Sequence, residues 1–143
     1  MLITREIDYA LRILRALSGG EQLTAADVCK RESIPQQFVY KILKKMERAG
    51  FVQIVRGAEG GCRLSADLEK ISLFNLVESV EADRRISACT VSGYQCAWRE
   101  SNAAACAIHR HLLQIQAVLD EELRKRTLRQ MLFGDAQSLV LKS

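Results

Sequence analysis

A single proline, no Cys-x-x-Cys pair and no apolar run near the ~18 residues of a membrane-spanning helix set the first limits on this 143-residue chain. So little proline, with eight glycines, 48% hydrophobic and 27% charged residues, excludes disordered and collagen-like classes and favours a globular, helix-rich fold. The opening Met-Leu-Ile-Thr-Arg-Glu-Ile-Asp is broken by charge where a secretory signal would be apolar, so a cytoplasmic protein without a membrane partner is expected. There is no dinucleotide glycine fingerprint, no Walker-type glycine pattern followed by Lys-Ser/Thr and no recognisable acid-base set, which speaks against an enzyme. Internal repeats and low-complexity tracts are also missing.

What is present begins with five cysteines, an odd number. In a reducing compartment such residues point to metal or redox chemistry rather than to structural disulfides. Charge is uneven too: residues 1–65 hold 11 Lys/Arg against 7 Asp/Glu, and residues 66–143 hold 10 of each. The basic excess therefore lies in the first half, where a polyanionic partner is expected.

Periodicity organises that half. Ile7, Ala10, Leu11, Leu14 and Leu17 define a first helix with Thr4 as N-cap and Gly19-Gly20 as stop. Thr24 and Asp27 open a short second helix, and Pro35 opens a third reaching Ala49, with Phe38, Ile42, Leu43 and Met46 inward. Two β-prone runs, 51–56 and 62–65, flank Gly57-Ala58-Glu59-Gly60-Gly61. The expected fold is mostly α with a small β wing: a winged helix-turn-helix followed by a long C-terminal dimerisation helix. The expected divisions are a DNA-binding domain over 1–66, a connecting helix within 67–85 marked by Leu73, Leu76, Val77 and Val80, a cysteine-rich loop over 86–106, a dimerisation helix over 107–134 and a tail over 135–143. Ile108, Leu112, Ile115 and Leu119 form a narrow seam on a helix that runs to about Phe133, and the same helix of a second subunit is the simplest cover for it.

For double-stranded DNA, the third helix offers Gln36, Gln37, Tyr40, Lys41, Lys44 and Lys45 on one side. Glutamine suits adenine, and lysine suits phosphate or guanine. Arg56 and Arg63 border the wing tip, and Gly57, Gly60 and Gly61 are expected to let that tip approach DNA closely, with Arg56 in the minor groove. Further on, Cys89, Cys96, Cys106 and His109 read Cys-x6-Cys-x9-Cys-x2-His. Three thiolates with a nitrogen or oxygen donor can hold zinc or an iron-sulfur cluster, and the same spacing is compatible with three incidental thiols. Cys29 and Cys62 read as a small buried hydrophobe and a wing thiol.

Over residues 1–133 the chain resembles the Rrf-two family of bacterial transcription regulators. The likeness rests on the opening Leu-Ile-Thr-x5-Ala-Leu, the wing Val-Arg-Gly-Ala-Glu-Gly-Gly-Cys-Arg-Leu and the three-cysteine loop before a long helix. It implies homodimers on palindromic promoter sites and an iron-sulfur cluster that senses iron, redox state or nitric oxide. By resemblance, Cys89, Cys96 and Cys106 are the cluster ligands. His109 matches the histidine that completes a two-iron (2Fe-2S) site in some members, the expectation preferred here. Asp8 matches an aspartate that in other members comes from the other subunit to complete a four-iron (4Fe-4S) site. A thiol-switch or ligand-responsive regulator without a cluster is the alternative of the same fold, and an electron carrier or redox enzyme the alternative of another class.

Overall fold

The computed structural model describes residues 3–135, so all but the first residue of the expected 135–143 tail lies outside the described residues. Seven α-helices and one hairpin follow in order: α1 (Arg5–Leu17), α2 (Ala25–Glu32), α3 (Gln36–Arg48), β1 (Val52–Val55), β2 (Gly61–Leu64), α4 (Leu73–Val80), α5 (Ala97–Ser101), α6 (Ala107–Lys125) and α7 (Leu128–Phe133), with a 3-10 turn at Ala88–Thr90. The fold class is as expected, a helical body with a two-stranded antiparallel wing. No helix among the described residues is long and apolar enough to cross a membrane.

Local chemistry accounts for the helix ends. Thr4 caps α1 by accepting from Ile7 N at 3.4 Å, and Thr24 and Asp27 form a reciprocal capping box on α2. Ser33 closes α2 at φ 54°, the left-handed conformation that turns the chain into α3 within three residues. Ile7, Ala10, Ile13, Leu14 and Leu17 of α1 are fully buried against α3 residues Val39, Ile42 and Met46 and α4 residues Leu76 and Val77 in a single core. Phe38, expected inside, is half-buried and packs on Tyr9 with ring centroids 5.4 Å apart.

The wing pairs Val52 with Leu64 and Val55 with Gly61, and a third segment joins its outer edge. Leu23 N donates to Cys62 O at 2.9 Å and Cys62 N to Leu23 O at 2.7 Å, so the α1–α2 connection extends the sheet. Close backbone approach, from this third segment and from the hairpin itself, explains two of the tip glycines. A Cβ on Gly61 would lie 2.5 Å from Leu23 O, and one on Gly60 would lie 2.5 Å from Val55 O. Their bare backbone is required by the protein's own chain, which is a different reason from the expected close approach to DNA; Gly57, at φ +107°, serves the turn.

One boundary is corrected. The single helix expected over 107–134 breaks after Lys125: Arg126 is extended, and Thr127 starts α7 through a capping box with Gln130. The break is fixed by pairing with the segment before α4, where Leu73 N donates to Arg126 O and Leu128 N to Ile71 O, each at 2.8 Å. Leu128 is thereby fully buried in the main core. The 19 residues of α6 span about 28 Å, shorter than the roughly 40 Å of the unbroken helix.

Candidate nucleic-acid interface and cysteine loop

Burial of Val39, Ile42, Leu43 and Met46 leaves Gln36, Gln37, Tyr40, Lys41 and Lys44 on the outer side of α3. Gln36 Nε2 donates to Tyr40 Oη at 3.4 Å, which orders the first turn, the part best placed to meet base edges. Between α3 and the wing lies an open cavity of about 340 Å³. Leu43, Ile54 and Val55 give it an apolar floor, and Tyr40, Lys44 and Arg56 supply its polar edge. Lys44 and Arg56 have no acidic partner among the described residues, so both charges are available to a polyanion. Arg63, opposite Gln53 in the hairpin, donates from Nε to Gln53 Oε1 at 2.8 Å on the exposed face.

The other two lysines are placed differently. Lys41 and Lys45 both donate to Glu6 on α1, Lys45 at 2.6 Å, and Lys45 also donates to Val80 O at 2.9 Å. These bonds, that from Lys41 first, hold the Glu6 carboxyl below its usual pKa of 4.5. Lys45 is thus a tie between α1, α3 and the end of α4, drawn away from the outer face where phosphate contact was expected. Sequence periodicity places a side chain on a helix face, but it does not reveal an acid that reaches over from another helix.

The cysteine loop folds over one side of α6. Cys89 sits in the 3-10 turn with Sγ 3.4 Å from Ser87 Oγ, and it shares a cavity with Arg85, Tyr94, Arg99, His109 and Leu113. Cys96 N-caps α5 and lines an adjoining cavity that shares Tyr94 and Arg99. Cys106 N-caps α6, where His109 N donates to its Sγ at 3.4 Å. All three thiols are half-buried. His109 Nδ1 is buried without a hydrogen-bond partner, an uncompensated cost that a ligand on that nitrogen would remove. The donors therefore suit iron in kind. They are not gathered, because among the described residues no three His, Cys, Asp or Glu side chains form a coordinating group. Asp8 lies apart from the loop on α1, paired with Arg12 at 3.1 Å. Cys62 is buried behind Leu23, and burial raises its thiol pKa; Cys29 is half-buried and its pKa is raised for the same reason.

The expected dimer seam is split by the structure. Leu112 and Leu119 are half-buried on the protomer's own side of α6, whereas Ile108 and Ile115 are 71% and 55% exposed. Val118, 66% exposed, adjoins them and was not singled out by the four-three-four spacing. Gln116 and Asp120, which no sequence pattern singles out, are buried polar groups on the inward face of α6.

The family pattern described as "Iron-dependent Transcriptional regulator", Rrf2, matches residues 3–133. A curated relative, the HTH-type transcriptional regulator NsrR of Bacillus subtilis, is 32% identical over 92 residues, 62% of this chain and 63% of that protein. The aligned part thus spans under two thirds of that relative's length. Among solved structures, T. potens IscR superposes with TM-score 0.69 at 16% identity over 95% of this chain and 89% of that one. The oxidised form of Staphylococcus aureus CymR does so with TM-score 0.68 at 18% identity over 93% of this chain and 97% of its own. At such identities the superpositions establish the fold, while the pattern covering nearly the whole chain establishes descent: this protein belongs to the Rrf2 family, whose members are transcriptional regulators rather than enzymes.

Proposed function

We propose that this protein is a DNA-binding transcription regulator that works as a homodimer on palindromic promoter sites and senses iron, redox state or nitric oxide through an iron-sulfur cluster held by Cys89, Cys96 and Cys106. The observation that carries DNA binding is that Lys44 and Arg56, cations with no acidic partner among the described residues, both line the α3–wing cavity beside the exposed Gln36, Gln37 and Tyr40. In this reading Lys44 takes phosphate, Gln36 and Gln37 read base edges in the major groove, and Arg56 and Arg63 follow the wing along the backbone into the minor groove. Exposed Ile108, Ile115 and Val118 meet their counterparts in the second copy.

The sensing assignment is supported by the orphaned Nδ1 of His109 beside Cys89 and by the relatives' names, NsrR and IscR. When bound, a cluster supplies one-electron redox chemistry and reactivity towards nitric oxide. His109, one helical turn from Cys106, is preferred as the fourth ligand with a 2Fe-2S cluster; Asp8 of the partner subunit, with a 4Fe-4S cluster, is the competing choice. Closing the shell requires the loop to bring Cys96 and Cys106 towards Cys89 and His109. Oxygen and nitrogen donors hold iron less firmly than thiolate, so the fourth ligand is the point of release.

A second reading has its own observation. Because no three donors are gathered among the described residues, the loop also suits a thiol switch without metal, and CymR is described as the global cysteine regulator of B. subtilis. Anaerobic purification with an ultraviolet-visible spectrum and iron and sulfide counts decides between them. Thiolate-to-iron bands that disappear in Cys89→Ser, Cys96→Ser and Cys106→Ser support the cluster. A colourless, iron-free wild type that binds DNA only in one thiol oxidation state supports the switch.

A further inference from the structure

Residues 80–86 connect α4 to the cysteine loop, and side chains from distant elements pin them at both ends. At the α3 end, Lys45 Nζ donates to Val80 O at 2.9 Å, and Thr4 Oγ1 donates to Glu81 Oε2 at 2.9 Å. At the loop end, Ile86 N donates to Gln116 Oε1 at 2.8 Å, and Gln116 Nε2 donates to Asp120 Oδ1 at 2.8 Å. Arg84 completes this end by donating to Asp120 and to Glu78, each at 3.2 Å, with its guanidinium 4.5 Å from the Phe74 ring centroid.

Gln116 is 2% exposed and Asp120 8% exposed. A buried amide and carboxylate are a poor way merely to attach a helix, since apolar residues of like volume hold at least as well. What they add is a fixed position. Ile86 N is held to one acceptor three residues before Cys89, and only six residues separate it from Val80, whose carbonyl is held by Lys45. Lys45 ties the position of Val80 to α3, because it is itself a residue of that helix, and the same ammonium binds Glu6 of α1.

We propose that residues 80–86 form a strap coupling the cysteine loop to the DNA-reading helix, with Gln116 as the positioning residue at the loop end and Lys45 as the positioning residue at the α3 end. The proposal rests on the regulatory reading above for its purpose, and its test is separable from that reading. Hydrogen-deuterium exchange on the full chain, without cluster or DNA, is measured for wild type, Gln116→Met, Lys45→Met and the double variant. Gln116→Met keeps the side-chain length and removes the amide. It is expected to speed exchange in the last two turns of α3 by about fivefold, roughly the worth of one hydrogen bond, although the hydrogen bonds of Gln116 go to Ile86 and Asp120 and not to α3. The double variant is expected to exchange no faster there than Lys45→Met alone. Faster exchange confined to residues 84–90, or effects that multiply in the double variant, would overturn the strap. Should Gln116→Met fail to fold, Arg84→Gln loosens the same end and is judged by the same criteria. A parallel titration with a palindromic duplex is expected to show the same non-additivity in affinity. A wild-type chain that binds no DNA sinks the regulatory reading and leaves the exchange result standing; unchanged α3 exchange sinks the strap whatever the DNA result.

Discussion

Lys44 and Lys45 are neighbours in sequence with opposite expected roles, and replacing each by methionine separates them. Each phosphate neutralised by a protein cation contributes about 0.9 to the slope of log affinity against log salt. Lys44→Met removes one unpaired cation per subunit, hence about 1.8 from the slope of a dimer on a palindrome. Over a fourfold rise in salt the wild type should lose roughly tenfold more affinity than this variant does. Lys45→Met should leave the slope unchanged, because that ammonium is committed to Glu6 and Val80 O. Its cost falls on the fold: a hydrogen bond from a charged donor is worth about 1.5–3 kcal/mol, and residual solvent contact at Lys45 puts the loss near the lower end. Fluorescence anisotropy of a labelled duplex across a salt series reads the first quantity, and urea unfolding reads the second. An equal fall in slope for both variants would refute the assignment of Lys45 to the interior.

Three further outcomes are expected. Gly61→Ala should destabilise the wing by about 1–3 kcal/mol through overlap with Leu23 O, whereas Gly19→Ala, with open space around its Cβ, should be neutral or slightly stabilising; the pair is compared by urea melts. Ile115→Glu and Val118→Glu should give folded monomers by sedimentation, while Leu112→Glu should lower stability itself, because only Leu112 faces the protomer's own body. The lowered pKa of Glu6 means that the folded state holds the carboxylate better than the unfolded chain does. Its contribution is therefore fully present above pH 4.5 and is lost as pH falls through the lower folded value; the acid melt of Glu6→Gln should lack that component.

Features governed by nearest neighbours were legible in the sequence. Thr4, Thr24 and Gly57 act within a few residues of themselves, and most of the expected apolar faces of α1 and α3 are buried, with Leu11 and Phe38 only half-buried and Ile13 and Val39 buried in addition. What escaped was set by partners far along the chain. Lys45 looked like its neighbours until Glu6 and Val80 arrived from 39 and 35 positions away. The end of α6 looked continuous because Ile71 and Leu73, which pair across the break, belong to another segment. In α6 a seam of period 3.5 was read where two faces exist, one turned to the body and one outward, so Leu112 and Ile115 part company. Nothing in the sequence marks Gln116 and Asp120 for burial, because polar side chains on a helix normally face solvent. The cysteine spacing named the donors, but the spacing cannot say whether a loop of that length holds them together.

The double backbone link between Leu23 and Cys62, with Gln22 Nε2 donating to Glu59 O at 2.7 Å at the tip, denies the wing a hinge of its own. Because the α1–α2 connection is anchored to the same core as α3, wing and helix behave as the two jaws of a caliper set to one opening. In the proposed complex a half-site would be gauged by groove spacing before any base is read, and exchanging Gln36 or Gln37 would then alter the letters accepted without altering the gauge. Altering the gauge would take a change of length between Leu17 and Leu23, a stretch that touches no nucleotide in the proposed complex.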